Sequence, residues 1–390
     1  MDYKNSVAFV VGEASGDVHA ALLLDSIKRS FEKNNEICPH FFGITGEHLR
    51  LRQVESIENI QNLSVMGLVK VVLKYAEIRK IYFKVLAEIK KRKPKLVIFI
   101  DFPGFNLRLL EAVSHLGIAC IYHIPPQVWI HGFLRIEILK KYTKFVNCVY
   151  PFENEFLKLH GCSSSFYGNP LANEIFKFEK ENSSIVSNKN HIALLPGSRI
   201  GEIHSIFPVM INSFVELLKT NLKLEAFIPV APTIGTEYLK NFLVQHLKSI
   251  HVENLDLKFH FVQNKIYTVL KECHYAFVCS GTASFEAAIS KTPHCIVYKC
   301  GYLNYTIGKM IVKSPFIGLA NLCRNEKIVP EFLQSDCTVF NLTEHAKNIF
   351  ENKNNCRDMM ISQFEKLRQQ FLGVSFDDFG KKIRDLIHTQ

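Results

Sequence analysis

The sequence predicts an α/β protein with two domains, each built on a parallel sheet with helices on both faces. Short apolar runs without polar alternation, typical of strands buried on both faces, alternate with helix-like stretches along nearly the whole chain. The chain has 390 residues, of which 47% are hydrophobic, so it can fill more than one small core. Together these observations predict two doubly wound, Rossmann-like domains.

Ten apolar runs predict the strands, five in each half of the chain. The first five are Val7–Val11, Phe41–Phe42, Leu96–Ile100, Ile118–Ile124 and Phe145–Val149. The second five are Ile192–Leu195, Leu224–Val230, Leu257–Val262, Tyr275–Cys279 and Cys295–Tyr298. Helix-like stretches such as Val18–Phe31 and Leu107–Leu116 separate them.

A polar segment divides the two halves and predicts a linker at residues 176–190. The N-terminal domain is then expected at residues 1–175 and the C-terminal domain at residues 191–355. Residues 356–390 are expected to form C-terminal helices, for which packing back on the N-terminal domain is one option.

Composition excludes several classes of protein. No uncharged apolar run approaches the 18 or so residues of a membrane span, and the N-terminus lacks the pattern of a secretory signal, so we expect a cytoplasmic protein. The 11 cysteines contain no Cys-x-x-Cys pair, which favours reduced core residues over a metal site. The net charge is +10, and the segment Lys70–Lys95 carries ten basic against two acidic side chains. That segment indicates an anionic partner.

The loop after the first predicted strand has the form of an anion site. In Gly12–Asp17, two glycines allow a tight turn and the helix start behind them presents free N–H groups. The loop matches neither Gly-x-Gly-x-x-Gly nor a phosphate loop, which argues against dinucleotide and NTPase functions. The plainer alternative is that Ser15 or Asp17 caps the helix.

A second loop, Asp101–Asn106, follows the strand Leu96–Ile100. A carboxylate at the end of a buried strand is partly desolvated, which raises its pKa and suits it to general-base catalysis. Asp101 is therefore the candidate base, with a simple turn-forming role as the alternative. Asn106 is expected to cap the following helix.

Two loops in the second half suit a diphosphate. Leu195–Arg199 follows a strand and precedes a helix, so backbone N–H groups and the Arg199 guanidinium can grip a phosphate. Ser280–Ser284 is a small-residue turn that opens a helix carrying Glu286. Glu286 can accept hydrogen bonds from ribose hydroxyls or, as the alternative, complement the helix dipole.

The basic segment also carries apolar residues at helical spacing. One stripe, which we expect to be core, is Leu68, Val71, Tyr75, Ile78, Tyr82, Val85 and Ile89. Val69, Val72 and Leu73 lie on other faces, beside Lys70 and Lys74. Such a helix can rest on an anionic membrane surface, and burial against a second subunit or a loop is the alternative.

Taken together, these motifs resemble the bacterial lipid-A-disaccharide synthases. The matching stretches, in the family's order, are Gly12–Asp17, Asp101–Asn106, Pro126–Trp129, Leu195–Arg199, Ser280–Glu286, and Leu319–Leu322 followed by Val329–Gln334. The chain departs from the family pattern at Pro125, His131 and Asn169, at Ala320, and in the early glycine cluster Gly43–Gly46.

The resemblance implies a GT-B glycosyltransferase, with two Rossmann-like domains and the active site in the cleft between them. It implies an inverting transfer from UDP-2,3-diacylglucosamine to 2,3-diacylglucosamine 1-phosphate, giving the β(1→6) lipid A disaccharide 1-phosphate and UDP. The expected setting is the cytoplasmic face of the inner membrane, peripherally attached to its anionic surface. No nucleic acid partner is expected, and a homo-oligomer is left open.

The resemblance also assigns residues to roles. Asp101 would be the catalytic base, and Gly12, Ser15, Gly16 and Asp17 would bind the acceptor. The UDP donor would be bound by Ser198, Arg199, Gly281, Thr282, Glu286 and Asn321. No Asp-x-Asp sequence occurs, which favours a reaction without metal or cofactor.

The sequence leaves other functions open. The nearest is another UDP-sugar enzyme of GT-B fold, either a 2-epimerase or a glycosyltransferase with a different acceptor. A nucleotide- or RNA-binding protein is disfavoured because the aromatic residues of the basic segment fall at helical spacing.

Overall fold

Buried apolar runs form two parallel sheets in the computed structural model. The structure describes residues 5–63, 75–128, 133–231, 234–252, 255–299 and 315–389. The chain divides into two units, Met1–Pro170 with Gly373–Gln390 and Leu171–Leu372, and each unit contains one sheet. This confirms the predicted pair of Rossmann-like α/β domains.

The first unit has a seven-stranded sheet in the order β3-β2-β1-β4-β5-β6-β7. Its strands are β1 Ser6–Val11, β2 His40–Thr45, β3 Glu55–Asn59, β4 Leu96–Ile100, β5 Ala119–His123, β6 Phe145–Cys148 and β7 Ser164–Phe166. Every pairing is parallel. The chain leaves β1 in one direction and returns on its other side at β4, so the topological switch point lies between these two strands.

Helices connect these strands as expected for parallel pairing. They are α1 Ala14–Glu32, α2 Glu47–Leu51, α3 Tyr75–Arg92, α4 Pro103–Ser114, α5 Phe133–Tyr142 and α6 Pro151–Leu159. The β1 strand is buried along its whole length, as is β4, so the centre of the sheet is the core of this unit.

The second unit repeats the plan with six parallel strands in the order β10-β9-β8-β11-β12-β13. The strands are β8 Asn188–Leu195, β9 Glu225–Val230, β10 Phe259–Gln263, β11 Cys273–Cys279, β12 His294–Tyr298 and β13 Glu331–Leu333. The helices are α7 Pro170–Glu181, α8 Ile200–Leu218, α9 Thr236–Ser249, α10 Ile266–Glu272, α11 Thr282–Ile289, α12 Leu319–Arg324, α13 Val339–Phe350 and α14 Cys356–Gln369. The switch point here lies between β8 and β11.

The predicted linker at residues 176–190 is wrong at both ends, because α7 runs through Glu181 and β8 begins at Asn188. The helix buries Ala172 and Ile175, and its Glu179 forms a two-point ion pair with Arg368 of α14. Its polar composition belongs to the solvated face of a helix and does not mark a loop. The domain boundary accordingly falls near Pro170, ahead of the predicted position.

Residues 356–390 form helices as expected, and packing back on the N-terminal unit applies to the last of them but not to the first. The α14 helix belongs to the second unit, whereas the last helix, α15 Phe376–His388, packs on α1 of the first unit. The Ser26 hydroxyl donates to the Phe376 carbonyl oxygen at 2.9 Å. A Cβ at Gly380 would lie 2.3 Å from the Ser26 hydroxyl oxygen, so the α1 and α15 backbones cross closely.

The apolar stripe predicted on the basic helix is confirmed where the structure describes it. On α3, Val85 and Ile89 are buried, while Ile78 and Tyr82 pack partly buried against the same core. Residues 64–74, which include Val69, Lys70, Val72, Leu73 and Lys74, lie outside the described residues. In the described part of the chain, no helix has the length and apolar character to cross a membrane.

Candidate active site

Two candidate loops of the first unit lie side by side at the switch point of its sheet. The β1–β4 register pairs Val11 with Ile100, so Gly12–Asp17 and Asp101–Asn106 leave the sheet from adjacent positions. Open parallel sheets bind ligands at this edge, beyond the carboxyl ends of the strands. The structure thus brings together the base and acceptor residues predicted from the sequence.

Close packing explains the glycine of the first loop. A Cβ at Gly12 would lie 2.0 Å from Cγ of Phe102, so only glycine allows the two loops to approach this closely. Gly16 lies against Val11 and Ile100, and Ser15 is exposed.

Asp17 lies on α1, but its side chain caps the start of the neighbouring helix α2. Its side chain is buried, and its two oxygens accept hydrogen bonds from the N–H groups of Gly46 at 2.8 Å and His48 at 2.7 Å. It therefore holds the start of α2 beside α1. Both carboxylate oxygens are engaged, which favours a structural role over the direct acceptor contact that the sequence suggested.

The backbone at Asp101 is held in an uncommon conformation. Asp101 and Phe102 have φ of 47° and 49°, in the left-handed region, as does Ile124 at the end of β5 with φ of 60°. The Asp101 carbonyl oxygen accepts from the Tyr122 hydroxyl at 2.6 Å and from the Asn106 amide at 2.8 Å. Strain of this kind persists only where the surrounding contacts hold it and is concentrated at functional sites.

Asn106 does not cap α4, contrary to expectation. Its buried amide nitrogen donates to the carbonyl oxygens of Val10, Ile100 and Asp101, so it ties the ends of β1 and β4 together. The N-cap of α4 is Phe102.

The Asp101 carboxyl has the protonation properties expected of a base. Burial raises the pKa of Asp101 to about 6, and the nearby charge of Glu13 contributes to a smaller extent. A hydrogen bond from the Phe102 N–H acts in the opposite direction and lowers this pKa. At neutral pH the group is therefore ionised, yet a far better proton acceptor than an ordinary aspartate.

The second unit contains a cavity of about 1010 Å³ at the carboxyl ends of β8, β9, β10 and β11. The β8–β11 register pairs Leu195 with Val278, so the two predicted phosphate loops are neighbours. Five of the six predicted donor residues line this cavity: Ser198, Arg199, Gly281, Thr282 and Glu286.

The loop after β8 already binds a carboxylate of its own chain. Glu202, in the first turn of α8, accepts from the Ser198 N–H at 3.1 Å and from the Arg199 guanidinium at 2.8 Å. Gly197 has φ of 107°, and a Cβ there would lie 2.5 Å from the Glu202 carboxylate. These donors form a binding site for an anion. Because an exposed ion pair contributes little free energy, an incoming anion can replace the Glu202 carboxylate at little energetic cost.

The loop after β11 presents a helix start and a half-buried acid. Gly281, with φ of 144°, is the N-cap of α11, and Thr282 is its first residue. Burial raises the pKa of Glu286 to about 7, while a hydrogen bond from the Tyr267 hydroxyl lowers it. Glu286 is thus a carboxylate acceptor inside the cavity rather than an exposed partner of the helix dipole.

Asn321, the sixth predicted donor residue, lies elsewhere in the second unit. Its side chain is fully buried; its amide donates to the carbonyl oxygen of Val329 and the carboxylate of Glu331, both at 2.8 Å, and accepts from the Val329 N–H at 2.8 Å. This arrangement favours a role in holding α12 against β13, rather than the donor contact that the sequence suggested.

Sequence reasoning missed one side of the cavity. Lys265, Ile266 and Tyr267 line it from the start of α10, and Phe178 and Asn182 line it from α7 and the residue after it. The first three follow the predicted strand Leu257–Val262, so the rule that ligands bind beyond strand ends could have found them. The α7 residues carried no such signal.

The fold is that of the GT-B class. UDP-GlcNAc 2-epimerase from Neisseria meningitidis has a TM-score of 0.61 at 12% identity, with 99% of each chain covered. A glycotransferase of kitacinnamycin has a TM-score of 0.59 at 10% identity, with 98% of each chain covered. At 10–12% identity this likeness shows the fold alone, which consists of two Rossmann-like units in one chain.

Sequence comparison identifies the family. The model of the lipid-A-disaccharide synthetase family matches residues 7–374. Lipid-A-disaccharide synthase 1 of Legionella pneumophila strain Lens is 34% identical over 383 residues, covering 97% of this chain and 96% of the relative. The lipid-A-disaccharide synthase of Coxiella burnetii strain CbuG_Q212 is 32% identical over 393 residues, with 99% and 100% covered. The chain belongs to the lipid-A-disaccharide synthase family.

Proposed function

We propose that this chain transfers the sugar of UDP-2,3-diacylglucosamine to the 6-hydroxyl of 2,3-diacylglucosamine 1-phosphate. The products would be the β(1→6) disaccharide 1-phosphate and UDP. Family membership makes the chain a hexosyltransferase of lipid A biosynthesis that forms the lipid A disaccharide. The observation that carries the proposal is the cavity of the second unit, where an anion site and the half-buried Glu286 carboxylate face the same space.

The donor is proposed to bind in this cavity through its UDP group. The N–H groups at the starts of α8 and α11, together with the Arg199 guanidinium, suit the diphosphate because helix N-termini attract anions. The Glu286 carboxylate suits the ribose hydroxyls, which donate hydrogen bonds. UDP would displace Glu202 from Ser198 and Arg199.

The first unit is proposed to supply the base. The acceptor hydroxyl attacks the anomeric carbon from the side opposite UDP, so the new C–O bond forms as the bond to the UDP oxygen breaks. The hydroxyl proton passes to the Asp101 carboxylate, and the electron pair of the broken bond leaves with UDP. Arg199 and the helix N-termini stabilise the charge that develops on UDP.

A reconstituted assay tests the proposed reaction. Purified protein, both diacylated substrates and EDTA should yield UDP and the disaccharide in equal amounts, because we propose that protein groups alone stabilise the leaving group. A reaction without acceptor measures donor hydrolysis. UDP binding without disaccharide would keep the donor site and point to another acceptor or to epimerase chemistry; absence of UDP binding would contradict the donor site itself.

We also propose that the basic segment attaches the protein to anionic lipid. The solvent-facing side of helix α3 is basic, with Lys80, Lys90 and Lys91 exposed. On the same helix, the Arg79 guanidinium lies 5.6 Å from the ring centre of Phe83, which is 53% exposed. Lipid-embedded substrates would then be reached at the membrane surface, where basic and apolar side chains act together.

Vesicle flotation tests this attachment. The unaltered protein should float with vesicles containing anionic lipid at low salt and sink at high salt, because lysine–headgroup attraction is screened. The double variant Val69→Ser with Leu73→Ser should float several-fold less. The matched control changes two exposed leucines of the second unit, Leu222 and Leu257, to serine. Equal flotation of both variants would exclude the segment as the anchor.

A further inference from the structure

The backbone of Asp101 is held on both sides of its Cα atom. Its N–H donates to the carbonyl oxygen of His123, at the end of β5, at 3.0 Å. Its own carbonyl oxygen accepts from the Tyr122 hydroxyl of β5 at 2.6 Å and from the Asn106 side-chain amide of α4 at 2.8 Å. The Tyr122 and Asn106 side chains are fully buried, so neither donor is available to water.

These hydrogen bonds stabilise a backbone conformation that is unfavourable on its own. Asp101 and Phe102 are consecutive residues with positive φ, at 47° and 49°, and neither is glycine. Such a conformation persists only where surrounding contacts hold it. Because the backbone dihedral angles set the direction of the Cα–Cβ bond, the same contacts set the direction in which the Asp101 carboxylate leaves the edge of the sheet.

The Tyr122 hydroxyl is the more specific of the two donors. The Asn106 amide nitrogen has two hydrogens and lies within bonding distance of three carbonyl oxygens at the ends of β1 and β4, so its bond to Asp101 is shared. The Tyr122 hydroxyl has one hydrogen, and its acceptor among the described residues is Asp101. The Tyr122 ring packs nearly parallel to Phe99 of β4, with ring centres 6.2 Å apart, which fixes the position of the hydroxyl.

We propose that Tyr122 is a positioning residue for the transfer reaction, whose hydroxyl holds the Asp101 backbone in the conformation that aims the carboxylate at the acceptor hydroxyl. The inference rests on the proposed function, in which Asp101 is the base. Tyr122 is fully buried and has no surface with which to contact a substrate, so it acts through Asp101. A base must lie within hydrogen-bond reach of the proton that it removes, and a displacement of about 1 Å can lower the rate about 10²-fold.

The first test is Tyr122→Phe, which removes the hydroxyl and keeps the ring. We expect kcat to fall about 10- to 10²-fold, while UDP affinity and KM for both substrates stay within about twofold, because the base acts in the transition state. Tyr275→Phe of the second unit is the matched control. Tyr275 is equally buried, and its hydroxyl lies 2.6 Å from Nδ1 of His345. A general effect of losing a buried hydroxyl bond appears in both variants, whereas kcat should be unchanged in Tyr275→Phe.

A double variant separates positioning from a general loss of structure. If Tyr122 acts through Asp101, adding Tyr122→Phe to Asp101→Asn should leave the residual kcat unchanged, because the base that Tyr122 positions is already absent. A fall in kcat by the same factor in both backgrounds would overturn the positioning role. An unchanged kcat in the single variant Tyr122→Phe would overturn it as well.

The same measurements distinguish this failure from failure of the proposed function. If Asp101→Asn lowers kcat and Tyr122→Phe does not, the base stands and the positioning role is wrong. If Asp101→Asn has the kcat of the unaltered enzyme, the assignment of the base is wrong and the positioning role fails with it. Unaltered protein that forms no disaccharide would overturn the proposed reaction itself.

Discussion

Asp101→Asn should lower kcat by about 10²- to 10⁴-fold while leaving UDP affinity unchanged. The range is that of losing a positioned general base. Asparagine keeps the size of the side chain and tolerates the left-handed backbone found at this position, where φ is 47°, so the loop should keep its conformation. Alanine would lack that tolerance and would mix a loss of chemistry with a loss of structure.

The pH profile adds an independent check on the same residue. The base works when ionised, so kcat of the unaltered enzyme should be constant above pH 7 and fall about tenfold per unit below the Asp101 pKa of about 6. The residual activity of Asp101→Asn should lack this acidic limb. Asp25→Asn is a suitable control, since Asp25 lies on α1 outside both switch-point loops and pairs with Arg52 of the same unit. A variant that retains the acidic limb would exclude Asp101 as the base.

Arg199→Ala should lower kcat/KM about 10²- to 10³-fold. This is the usual effect of removing one donor from a group that stabilises developing negative charge. The guanidinium is 63% exposed, and its ion-pair partner among the described residues is Glu202 of the same loop and helix start, so its loss should not unfold the protein. Steady-state kinetics combined with UDP titration separate the loss of UDP binding from the loss of catalysis. UDP binding should weaken about tenfold, and the remaining decrease in kcat/KM should appear in kcat.

Two matched variants make this prediction specific. Arg29→Ala removes an exposed arginine that pairs with Asp377 outside the site, and it should leave the kinetics unchanged. Glu202→Gln removes the carboxylate that competes for Ser198 and Arg199, so UDP should bind at least as tightly as before. If Arg199→Ala and Glu202→Gln weaken UDP equally, Arg199 acts by holding the loop and not by contacting the phosphates.

Local patterns explain why much of the fold could be predicted. The central strands β1, β4 and β11 are buried apolar runs, and both predicted phosphate loops follow strands of this kind. The sequence pattern does not predict the edge strands β3, β7 and β13. An edge strand meets solvent, and polar residues such as Glu55, Ser165 and Glu331 break the apolar run. The end of helix α7 resembles a linker in composition because the residues on its solvated face are polar.

Roles that depend on distant partners could not be read from the chain. Asp17 looked like an acceptor ligand, yet the N–H groups that occupy it come from Gly46 and His48, on another element. Asn321 matched a family segment, yet its partners are Val329 and Glu331. Tyr267 carries no signal in the sequence, and only the fold places it in the same cavity as Glu286.

The sequence by itself determined the two Rossmann-like units, the family, and the candidate residues Asp101, Arg199 and Glu286, because strand periodicity and strand-end loops are local in the chain. Only the tertiary structure decided which polar side chains are engaged and which face a cavity. It also raised the pKa values of Asp101 and Glu286 toward neutrality. Burial and hydrogen-bond partners are set by segments far apart in sequence, and these control the free energy of a buried charge.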